Sequence, residues 1–506
     1  MSEELPTLWA KASLGDVVDV LDNEREPVNA ATRADMLEQE EDAERFPYFG
    51  ATGQVGWINS FRSEGERTLL GEDGAPFLDQ FKPKAYVVSG RFWVNNHAHV
   101  LRGKAGVLDS RFLCHQLNTV EYQPFVTGTT RMKLTSGAMR QIPLRIAPIA
   151  EQLRVVVRLE ELLSDLESGV AELQAAQKKL AQYRQSLLKA AVEGALTADW
   201  RAQNPSQETG AELLTRILRE RRSRWEARQL EKFKAQGKEP PKEWQRQYPA
   251  AVEPSLAGLP VLPSTWTWAS LDMLGAIASG VAKGSKVSRD KILREIPYLR
   301  VANVQRGYLD LGEIKTILAT ERDISDLILC DGDVLFNEGG DRDKLGRGWV
   351  WRNEMPECIH QNHVFRMRPY LNDTESEFVS HHGNTFGQRW FELAGKQTTN
   401  LASINMGLLR SFPVPVPPVA EQKVIVESVR IQLDAILGQQ RAIERGLHMA
   451  SAQRQNILRA AFSGQLVPHD PADEPASVLL ARIREQRAAT QAGPQRRKPR
   501  VAREPE

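Results

Sequence analysis

The amino-acid sequence predicts an α/β protein in which two strand-rich, mixed α/β domains are separated and joined by two long helices forming an antiparallel coiled coil. Three observations support this prediction. A repeat recurs along the chain at constant spacing, the repeated segments show helical periodicity, and the regions in front of them contain short β-branched and aromatic runs interrupted by Gly and Asp. The two halves are therefore expected to share one scaffold in a pseudo-two-fold arrangement.

The repeat is defined by two pairs of segments. Residues 142–152 (IPLRIAPIAEQ) return at 412–422 (FPVPVPPVAEQ), and residues 184–196 (RQSLLKAAVEGAL) return at 454–466 (RQNILRAAFSGQL). Both pairs are 270 positions apart, since 422 minus 152 equals 454 minus 184. Loops tolerate insertions better than helices do, so an insertion-free stretch of this length indicates one continuous regular element in each copy. A weaker match follows, which aligns Leu213 with Leu479.

Hydrophobic spacing identifies this element as a helix. Apolar residues recur at steps of three, four and seven, with charged and amide side chains between them. Each stripe alone also fits a bundle face, but two copies of equal length favour pairing with each other. Proline cannot lie inside a helix, so each helix is predicted to start near the shared Ala-Glu-Gln and to end near Gly194 or Gly464. The stripes are Leu159, Leu162, Leu166, Leu173, Leu180 and Leu187, and Val429, Leu433, Ile436, Ile443, Leu447, Ala450 and Ile457.

The regions in front of the helices also begin alike. LPTLWAKASLGDV, which contains Trp9, resembles LPSTWTWASLDML, which contains Trp266. FPYFGATGQVGWINS around Tyr48 parallels IPYLRVANVQRGYLD around Tyr298, and NNHAHVLR ending at Arg102 parallels HQNHVFR ending at Arg366. Between these landmarks the two regions differ freely, which predicts related scaffolds with diverged interiors. Short strands are predicted at Ala85–Val88, Phe92–Val94, Val334–Phe336 and Trp349–Trp351.

The segment after the first helix differs from the rest in charge. Residues 216–246 contain eleven basic and five acidic side chains, and prolines mark a linker at Pro240, Pro241, Pro249 and Pro254. Such a run is usually a solvated helical face, and contact with nucleic acid or a partner subunit is the alternative. The predicted organisation is a first domain (1–145), a first helical repeat (146–200), a basic helical arm and Pro-marked linker (201–260), a second domain (261–415), a second helical repeat (416–466), and a short helix with a basic, disordered tail (467–506).

Composition excludes several protein classes. A hydrophobic fraction of 41% with 26% charged residues is ordinary for a globular protein and argues against wholesale disorder. No run approaches eighteen apolar residues, and the three scattered cysteines fit a reducing cytoplasm. The formal net charge is only +1, but nucleic-acid binding depends on clustering of Lys and Arg and not on their sum.

Catalytic motifs are missing from the sequence. It contains no G-x-x-x-x-G-K-[ST] loop for a nucleotide triphosphate, no G-x-G-x-x-G after a strand, and no Asn-Pro-Pro-aromatic tetrapeptide of the amino-methyltransferase kind. Glu313 and Lys315 form a fragment of a metal-nuclease pattern that is common by chance. We therefore predict no catalytic residue and no metal site, because the spacing of the remaining metal-ligand residues does not suit a tetrahedral site; these are Cys358, His360, His363, His381 and His382.

Turn-rich loops of both domains carry side chains that can read base edges. Asn and Gln pair with adenine, Arg pairs with guanine, and a carboxylate accepts from cytosine. For any one of these residues, turn chemistry or a structural hydrogen bond is the alternative. The candidate DNA contacts are Thr52, Gln54, Lys82, Lys84, Asn95, Asn96 and His97 in the first domain, and Arg300, Asn303, Gln305, Arg306, Asn337, Glu338, Asp341, Lys344 and Arg347 in the second.

Taken together, these motifs resemble the specificity subunits of type I restriction-modification systems over nearly the full chain. The resemblance rests on the paired Ala-Glu-Gln helices with Leu-x-Ala-Ala-x-x-Gly endings (188–194 and 458–464), the arm ending in Gly-Lys-Glu-Pro-Pro (237–241), and YLRVANVQRG (298–307). It implies a non-catalytic subunit whose two target recognition domains each read half of a split double-stranded DNA sequence. A coiled-coil adaptor that binds no DNA, and a single-chain enzyme, are the alternatives.

The resemblance also implies partners and cofactors. Two modification subunits would bind S-adenosylmethionine and methylate adenine, and two restriction subunits would use ATP and Mg²⁺ for translocation and cleavage, with no cofactor in this chain. Docking of partners is predicted at the features that both halves share, namely Pro148, Glu151, Gln152, Leu188, Gly194, Pro418, Glu421, Gln422, Leu458 and Gly464. A helix of about 40 residues spans about 60 Å, against about 34 Å for one turn of B-DNA, so helix length is predicted to set the spacing of the two half-sites.

Overall fold

A computed structural model describes residues 5–38, 44–79, 81–282, 292–340, 345–394, 396–397 and 402–491. The chain divides into two compact units, the first formed by 1–175 with 443–506 and the second by 176–442. In the predicted organisation each long helix is a single segment. In the structure the boundary between the two compact units falls inside each long helix, after residues 175 and 442. Among the described residues, no helix has the length and apolar character needed to cross a membrane.

The first unit contains a four-stranded sheet in the order β2-β9-β6-β7 and a second in the order β4-β3-β8-β5. In the second sheet β3 and β8 run parallel, and the other neighbours are antiparallel. The elements are β1 (Ala10–Ser13), α1 (Leu14–Val17), β2 (Val18–Val20), α2 (Ala30–Glu38), β3 (Phe46–Gly50), β4 (Gly53–Ile58), β5 (Ser63–Glu64), β6 (Arg67–Gly71), β7 (Ala85–Val88), β8 (Arg91–Val94), β9 (Ala98–Gly103), α3 (Ser110–Leu117), β10 (Val126–Thr127), β11 (Lys133–Leu134), α4 (Ser136–Arg140), β12 (Pro143–Ile146) and the start of α5 (Ile149–Val192).

The second unit repeats this plan, with one sheet in the order β14-β23-β19-β21 and another in the order β18-β15-β22. Its elements are α6 (Ala198–Gln203), α7 (Gly210–Ala235), β13 (Thr267–Ser270), α8 (Leu271–Leu274), β14 (Gly275–Ser279), β15 (Leu293–Leu299), β16 (Val304–Gln305), β17 (Tyr308–Leu309), β18 (Lys315–Thr320), α9 (Glu321–Leu327), β19 (Val334–Asn337), β20 (Gly339–Gly340), β21 (Gly348–Val350), β22 (Ile359–His360), β23 (Val364–Pro369), α10 (Ser376–His382), α11 (Gln388–Ala394), β24 (Lys396–Gln397), β25 (Ala402–Ser403), α12 (Met406–Arg410), β26 (Pro413–Val416) and the start of α13 (Val419–Phe462). The remainder of α13 and α14 (Ala476–Gln491) belong to the first unit.

The two long helices pair in antiparallel fashion, as predicted. In the first unit Arg454 of α13 forms an ion pair with Glu167 of α5 at 3.1 Å, and in the second unit Tyr183 donates a hydrogen bond to Gln432 at 2.6 Å. As the contacts advance along α5 from Glu167 to Tyr183, their partners on α13 move back from Arg454 to Gln432, so the two helices run in opposite directions. Each helix is followed by a glycine with positive φ, Gly194 at 80° and Gly464 at 74°, which confirms the predicted helix ends.

Strand pairing corrects two of the predicted correspondences between the domains. Arg102 of β9 lies opposite Asp19 of β2, and the equivalent position in β23, opposite Ala276 of β14, is Arg368. The prediction that Arg102 corresponds to Arg366 is therefore wrong by two residues. The match aligned residues of similar sequence that do not occupy equivalent positions in the paired strands.

The second correction concerns the segments that follow Tyr48 and Tyr298. These tyrosines are equivalent, since each lies in a strand with one parallel neighbour, β8 or β22. In the first domain a two-residue turn leads directly into β4, whereas in the second the chain forms the β16–β17 hairpin before β18 takes the place of β4. The predicted match of GQVGWINS with NVQRGYLD is thus wrong, because the second domain carries an insertion at this turn.

Candidate nucleic-acid interface

The first domain has a loop corner where β6 ends and β9 begins. The backbone amide of Glu72 donates to the carbonyl oxygen of His97 at 2.8 Å, and the amide of Leu134 donates to the carbonyl oxygen of Glu72 at 2.7 Å. Three separate loops are therefore joined edge to edge by backbone hydrogen bonds. We call the loops around His97, Glu72 and Leu134 the reader corner of the first domain.

Ion pairs organise the side chains of this corner. Asp73 lies 2.7 Å from Arg131 Nη2 and 2.7 Å from His97 Nδ1, and Glu72 pairs with Arg25 and Lys133. Burial opposes ionisation of Glu72, but the hydrogen bonds from Arg25 and Lys133 outweigh it and hold the pKa of this carboxyl below its usual value. Glu72 is thus charged, and its charge is balanced by basic neighbours.

The predicted DNA contacts of the first domain divide into two groups. Lys84 and Asn95 are buried: the Lys84 ammonium donates to the carbonyl oxygen of Asp79, and Asn95 Oδ1 accepts from the amide of His97 at 2.8 Å. They shape the loops and are not free to reach a base. The exposed or half-buried members, which remain available for contact, are Thr52, Gln54, Lys82, Asn96 and His97.

Two asparagines of the second domain are likewise internal. Asn303 Oδ1 accepts from the amide of Arg300, and its Nδ2 donates to the carbonyl oxygens of Asp310 and Glu313, each at 2.9 Å. Asn337 is fully buried and donates to the carbonyl oxygen of Val304 at 2.8 Å. Both amides therefore brace the inserted loop that carries β16 and β17. In a turn-rich run of Asn and Gly, the sequence alone does not show whether an asparagine supports a loop or contacts a base.

The second domain has an equivalent reader corner. The amide of Glu338 donates to the carbonyl oxygen of His363 at 2.9 Å, and the amide of Ile404 donates to the carbonyl oxygen of Glu338 at 2.8 Å. The Glu338 carboxylate lies 2.5 Å from His363 Nδ1. Four predicted contacts of this domain are partly exposed, and each donates to a backbone carbonyl oxygen: Arg300 to Glu313, Gln305 to Ala302, Arg306 to Asn384 and Arg347 to Val301. The predicted contacts Asp341 and Lys344 lie outside the described residues.

The residues predicted to dock partners lie inside each unit, where the start of a long helix meets the segment before the first strand of the domain. We call these two places the junctions. Trp9 Nε1 donates to Glu151 at 2.9 Å, and Trp266 Nε1 donates to Glu421 at 2.8 Å. Gln152 accepts from the amide of Asp109, and Gln422 accepts from that of Glu375. Pro148, Gly194, Pro418 and Gly464 are buried with them, and Leu188 and Leu458 are half-buried.

Burial explains why these shared residues recur. The same junction is built twice, so the same interior residues are needed twice. Direct partner contact by the buried members would require the junction to open. Partner docking at this part of the molecule stays a prediction. Without such opening, the contacts would have to come from the exposed residues around the junctions.

Three histidines of the second domain, His360, His381 and His382, are buried. Burial lowers the pKa of His360 to about 3 and that of His382 to about 4, and His382 Nε2 donates to the carbonyl oxygen of Pro413 at 2.8 Å. His381 packs edge-on against Trp349. Across the described ranges, no group of three or more His, Cys, Asp or Glu side chains is arranged to hold a metal ion.

The basic arm is the helix α7, against which the aromatic residues Trp244 and Tyr248 of the following segment pack. Arg221 of α7 is buried, donates to the Tyr248 hydroxyl at 2.6 Å, and pairs with Asp272 at 3.1 Å. Trp225 stacks on Trp244 with ring centroids 5.6 Å apart. The outer part of the arm exposes the basic residues Arg228, Lys232, Lys234, Lys238 and Lys242. A solvated helical face, and contact with nucleic acid or a partner subunit, therefore both stay predictions for this arm.

Comparison with known proteins gives one family. Residues 6–174 match the family model of the type I restriction modification DNA specificity domain. A putative type I restriction enzyme specificity subunit of Haemophilus influenzae is 35% identical over 149 residues, which is 29% of this chain and only 36% of that protein. The EcoDI specificity subunit of Escherichia coli is 23% identical over 510 residues, covering 96% of this chain and 97% of the relative.

The fold agrees with a solved structure. A chain from work on complex assembly and conformational transition of the type I R-M system superposes with a TM-score of 0.57 at 16% identity, covering 91% of this chain and 99% of the other. That likeness shows the arrangement of elements. Residues 6–174 match a type I restriction modification DNA specificity domain, and the chain is similar over nearly its full length to a type I restriction enzyme specificity subunit.

Proposed function

We propose that this chain recognises DNA for a type I restriction-modification complex, each domain reading one half of a split, asymmetric target. The observation that carries the proposal is the reader corner built twice, by the same backbone hydrogen bonds at Glu72 and Glu338, with different side chains around it. A duplicated scaffold with diverged loops suits two different half-sites.

The loops beside the two corners support different readings of base edges. In the first domain Gln54 follows a two-residue turn, and in the second Gln305 and Arg306 lie on the inserted hairpin loop. Amide side chains favour adenine and guanidinium groups favour guanine, so the two loops offer different donor patterns to the major groove.

The proposal assigns chemistry to partner subunits. The chain would position two modification subunits that use S-adenosylmethionine to methylate adenine, and two restriction subunits that use ATP and Mg²⁺. Adenine methylation requires the base to leave the duplex, and the pocket for the flipped base would lie in the modification subunit. This chain would then be non-catalytic and supply the position on the DNA.

Methylation of random-sequence DNA tests the proposal. The chain is co-expressed with a cognate modification subunit, N6-methyladenine is mapped at all sites, and the mapping is repeated with the chain alone. We expect one split motif that appears only with the partner. Methylation by the chain alone would contradict the non-catalytic assignment, and the absence of any motif would favour an adaptor that binds no DNA.

A further inference from the structure

The hairpin formed by β10 and β11 joins the reader corner of the first domain through Leu134, but its tip has no part in the function described so far. Its strands pair Val126 with Leu134 and Thr127 with Lys133, and its tip, residues 128–132, is exposed except for the half-buried Met132, which packs against the core. We propose that this tip contacts the sugar-phosphate backbone of DNA without reading its sequence. The inference rests on the proposed function and names a second, sequence-independent part of the same interface.

The hairpin is fixed to the reader corner of the first domain. Leu134 donates its amide hydrogen to Glu72, whose own amide donates to His97, and Lys133 forms a β-bridge with Asp73. The tip is therefore held beside the loop that contains the candidate contacts Asn96 and His97. DNA reached by that loop would pass close to the tip.

The second domain keeps this hairpin although its neighbouring loops have diverged. There β24 and β25 pair, and Ile404 donates to Glu338 exactly where Leu134 donates to Glu72. The sequence also repeats a Thr-Thr pair, at 129–130 and at 398–399, and the latter pair lies outside the described residues. The two tips share the Thr-Thr pair but not Arg131, because residues 398–401 (TTNL) contain no basic residue. A shared pair of hydroxyl donors is suited to the part of DNA that does not vary, its phosphates.

The chemistry of the tip fits an anionic ligand. Residues 126–134 include no Asp or Glu, and the exposed Thr129, Thr130 and Arg131 offer hydroxyl and guanidinium donors. Asp73 orients Arg131 through Nη2, and within the described part of the chain Nε and Nη1 of this guanidinium have no hydrogen-bond partner. A guanidinium held on one side and open on the other can bind phosphate through two donors.

The experiment uses the full chain assembled with its modification subunits. Binding to a cognate duplex and to an unrelated duplex is measured over a range of salt for Arg131→Gln and for the double variant Thr129→Val/Thr130→Val. For Arg131→Gln we expect both duplexes to bind more weakly by a similar factor, and the slope of log K against log salt to fall by about 1, with the methylation motif unchanged. The double variant should weaken both duplexes without changing the slope.

Arg102→Gln is the matched control, because Arg102 is also an exposed, Asp-paired arginine of the first domain, at the other end of β9. It should leave affinity and slope as they are. A changed base in the methylation motif would overturn the proposal in favour of base reading. An unchanged slope for Arg131→Gln, or loss of modification subunits from the complex, would also overturn it. If the unaltered complex methylates no split motif, the proposed function itself fails.

Discussion

Glu151 and Glu421 occupy equivalent buried positions but are neutralised by different residues. Glu151 faces His469 at 2.9 Å, whereas Glu421 accepts hydrogen bonds from Thr197 and Arg201 at 2.6 and 2.9 Å. The second junction therefore contains an arginine and a threonine where the first contains a histidine. The two halves share an architecture and still differ in how each junction is held.

Removing the carboxylate at one junction should be costly. In Glu421→Ala, Arg201 loses its buried partner and the Trp266 indole loses its acceptor, so we expect the second unit to lose about 3 kcal/mol of stability. Urea unfolding followed by tryptophan fluorescence measures the change. Glu427→Ala is the control, because the pair of Glu427 with Arg430 is exposed and should contribute little to stability. Equal losses in both variants would contradict a special role for the junction.

Asn303 and Gln305 lie two residues apart and should respond differently to truncation. Asn303→Ala removes three hydrogen bonds that brace the inserted loop, so it should lower stability by about 1–3 kcal/mol. Gln305→Ala removes a partly exposed side chain and should leave stability within about 0.5 kcal/mol. If Gln305 reads a base, the methylation motif of the second half-site changes in Gln305→Ala. Thermal melts and motif mapping on both variants separate bracing from reading, and a stable Asn303→Ala protein would count against bracing.

Among the secondary-structure elements, the long helices were predictable and the reader corners were not. Helix limits follow from local signals: an apolar period, proline before the start and glycine after the end. The corner depends on hydrogen bonds between residues 72, 97 and 134, whose partners are distant in sequence. The same reason explains the error at Arg366, since register is set by neighbouring strands and not by the residues of one strand. Arg131 was missed because it lies outside any base-reading pattern, although the repeated Thr-Thr hairpin was a usable signal.

The arm formed by α7 should depend on the stacking of Trp244. In Trp244→Ala the Trp225 ring loses its partner, and the arm should open more often. We expect trypsin to cut the arm, at Lys234 or Lys238, about tenfold faster, which corresponds to about 1.4 kcal/mol of local stability. The global unfolding midpoint should change little. Trp57→Ala, at a half-exposed tryptophan of the first domain, is the control, and it should leave cleavage of the arm unchanged.

The histidines of α10 should make the second unit sensitive to mild acid. Burial lowers the pKa of His381 and of His382 to about 4, below the value of about 6.5 for an unfolded chain. Between these values the unfolded state binds more protons, so stability falls as pH drops below about 6.5, by at most about 1.4 kcal/mol per pH unit for each histidine. Stability should not change through this effect above pH 7.

Urea unfolding at pH 7.5, 6.5 and 5.5 measures this acid sensitivity. His382→Gln can still donate to Pro413 but cannot take up a proton, so the variant should lose less stability between pH 6.5 and 5.5 than the unaltered chain does. The exposed His448→Gln is the control and should keep the original pH dependence. An identical pH dependence in His382→Gln would show that burial of this ring does not drive the effect.

In each compact unit, a helix is hydrogen-bonded to the segment that leads into the first strand of the domain. Gly210 at the start of α7 donates its amide hydrogen to Thr265 at 2.8 Å, and Ala476 at the start of α14 donates to Leu8 at 2.9 Å. Leu213 and Leu479 are both buried there, which confirms the weaker match between these segments. The chain thus returns to its beginning, and the two long helices are the segments that both units share.

Those helices lead to a prediction about target spacing. Seven residues inserted after residue 175 in α5 and seven after residue 442 in α13, at the division between the units, keep the heptad register and lengthen each helix by about 10 Å. At about 3.4 Å per base pair, the spacer between half-sites should grow by about three base pairs. Both half-sites should stay the same, because neither reader corner is altered. Mapping N6-methyladenine with the modification subunit measures spacer and half-sites together. Inserting the heptad into α5 alone mismatches the paired helices and should abolish methylation, whereas a spacer that stays fixed in the double insertion would refute control by helix length.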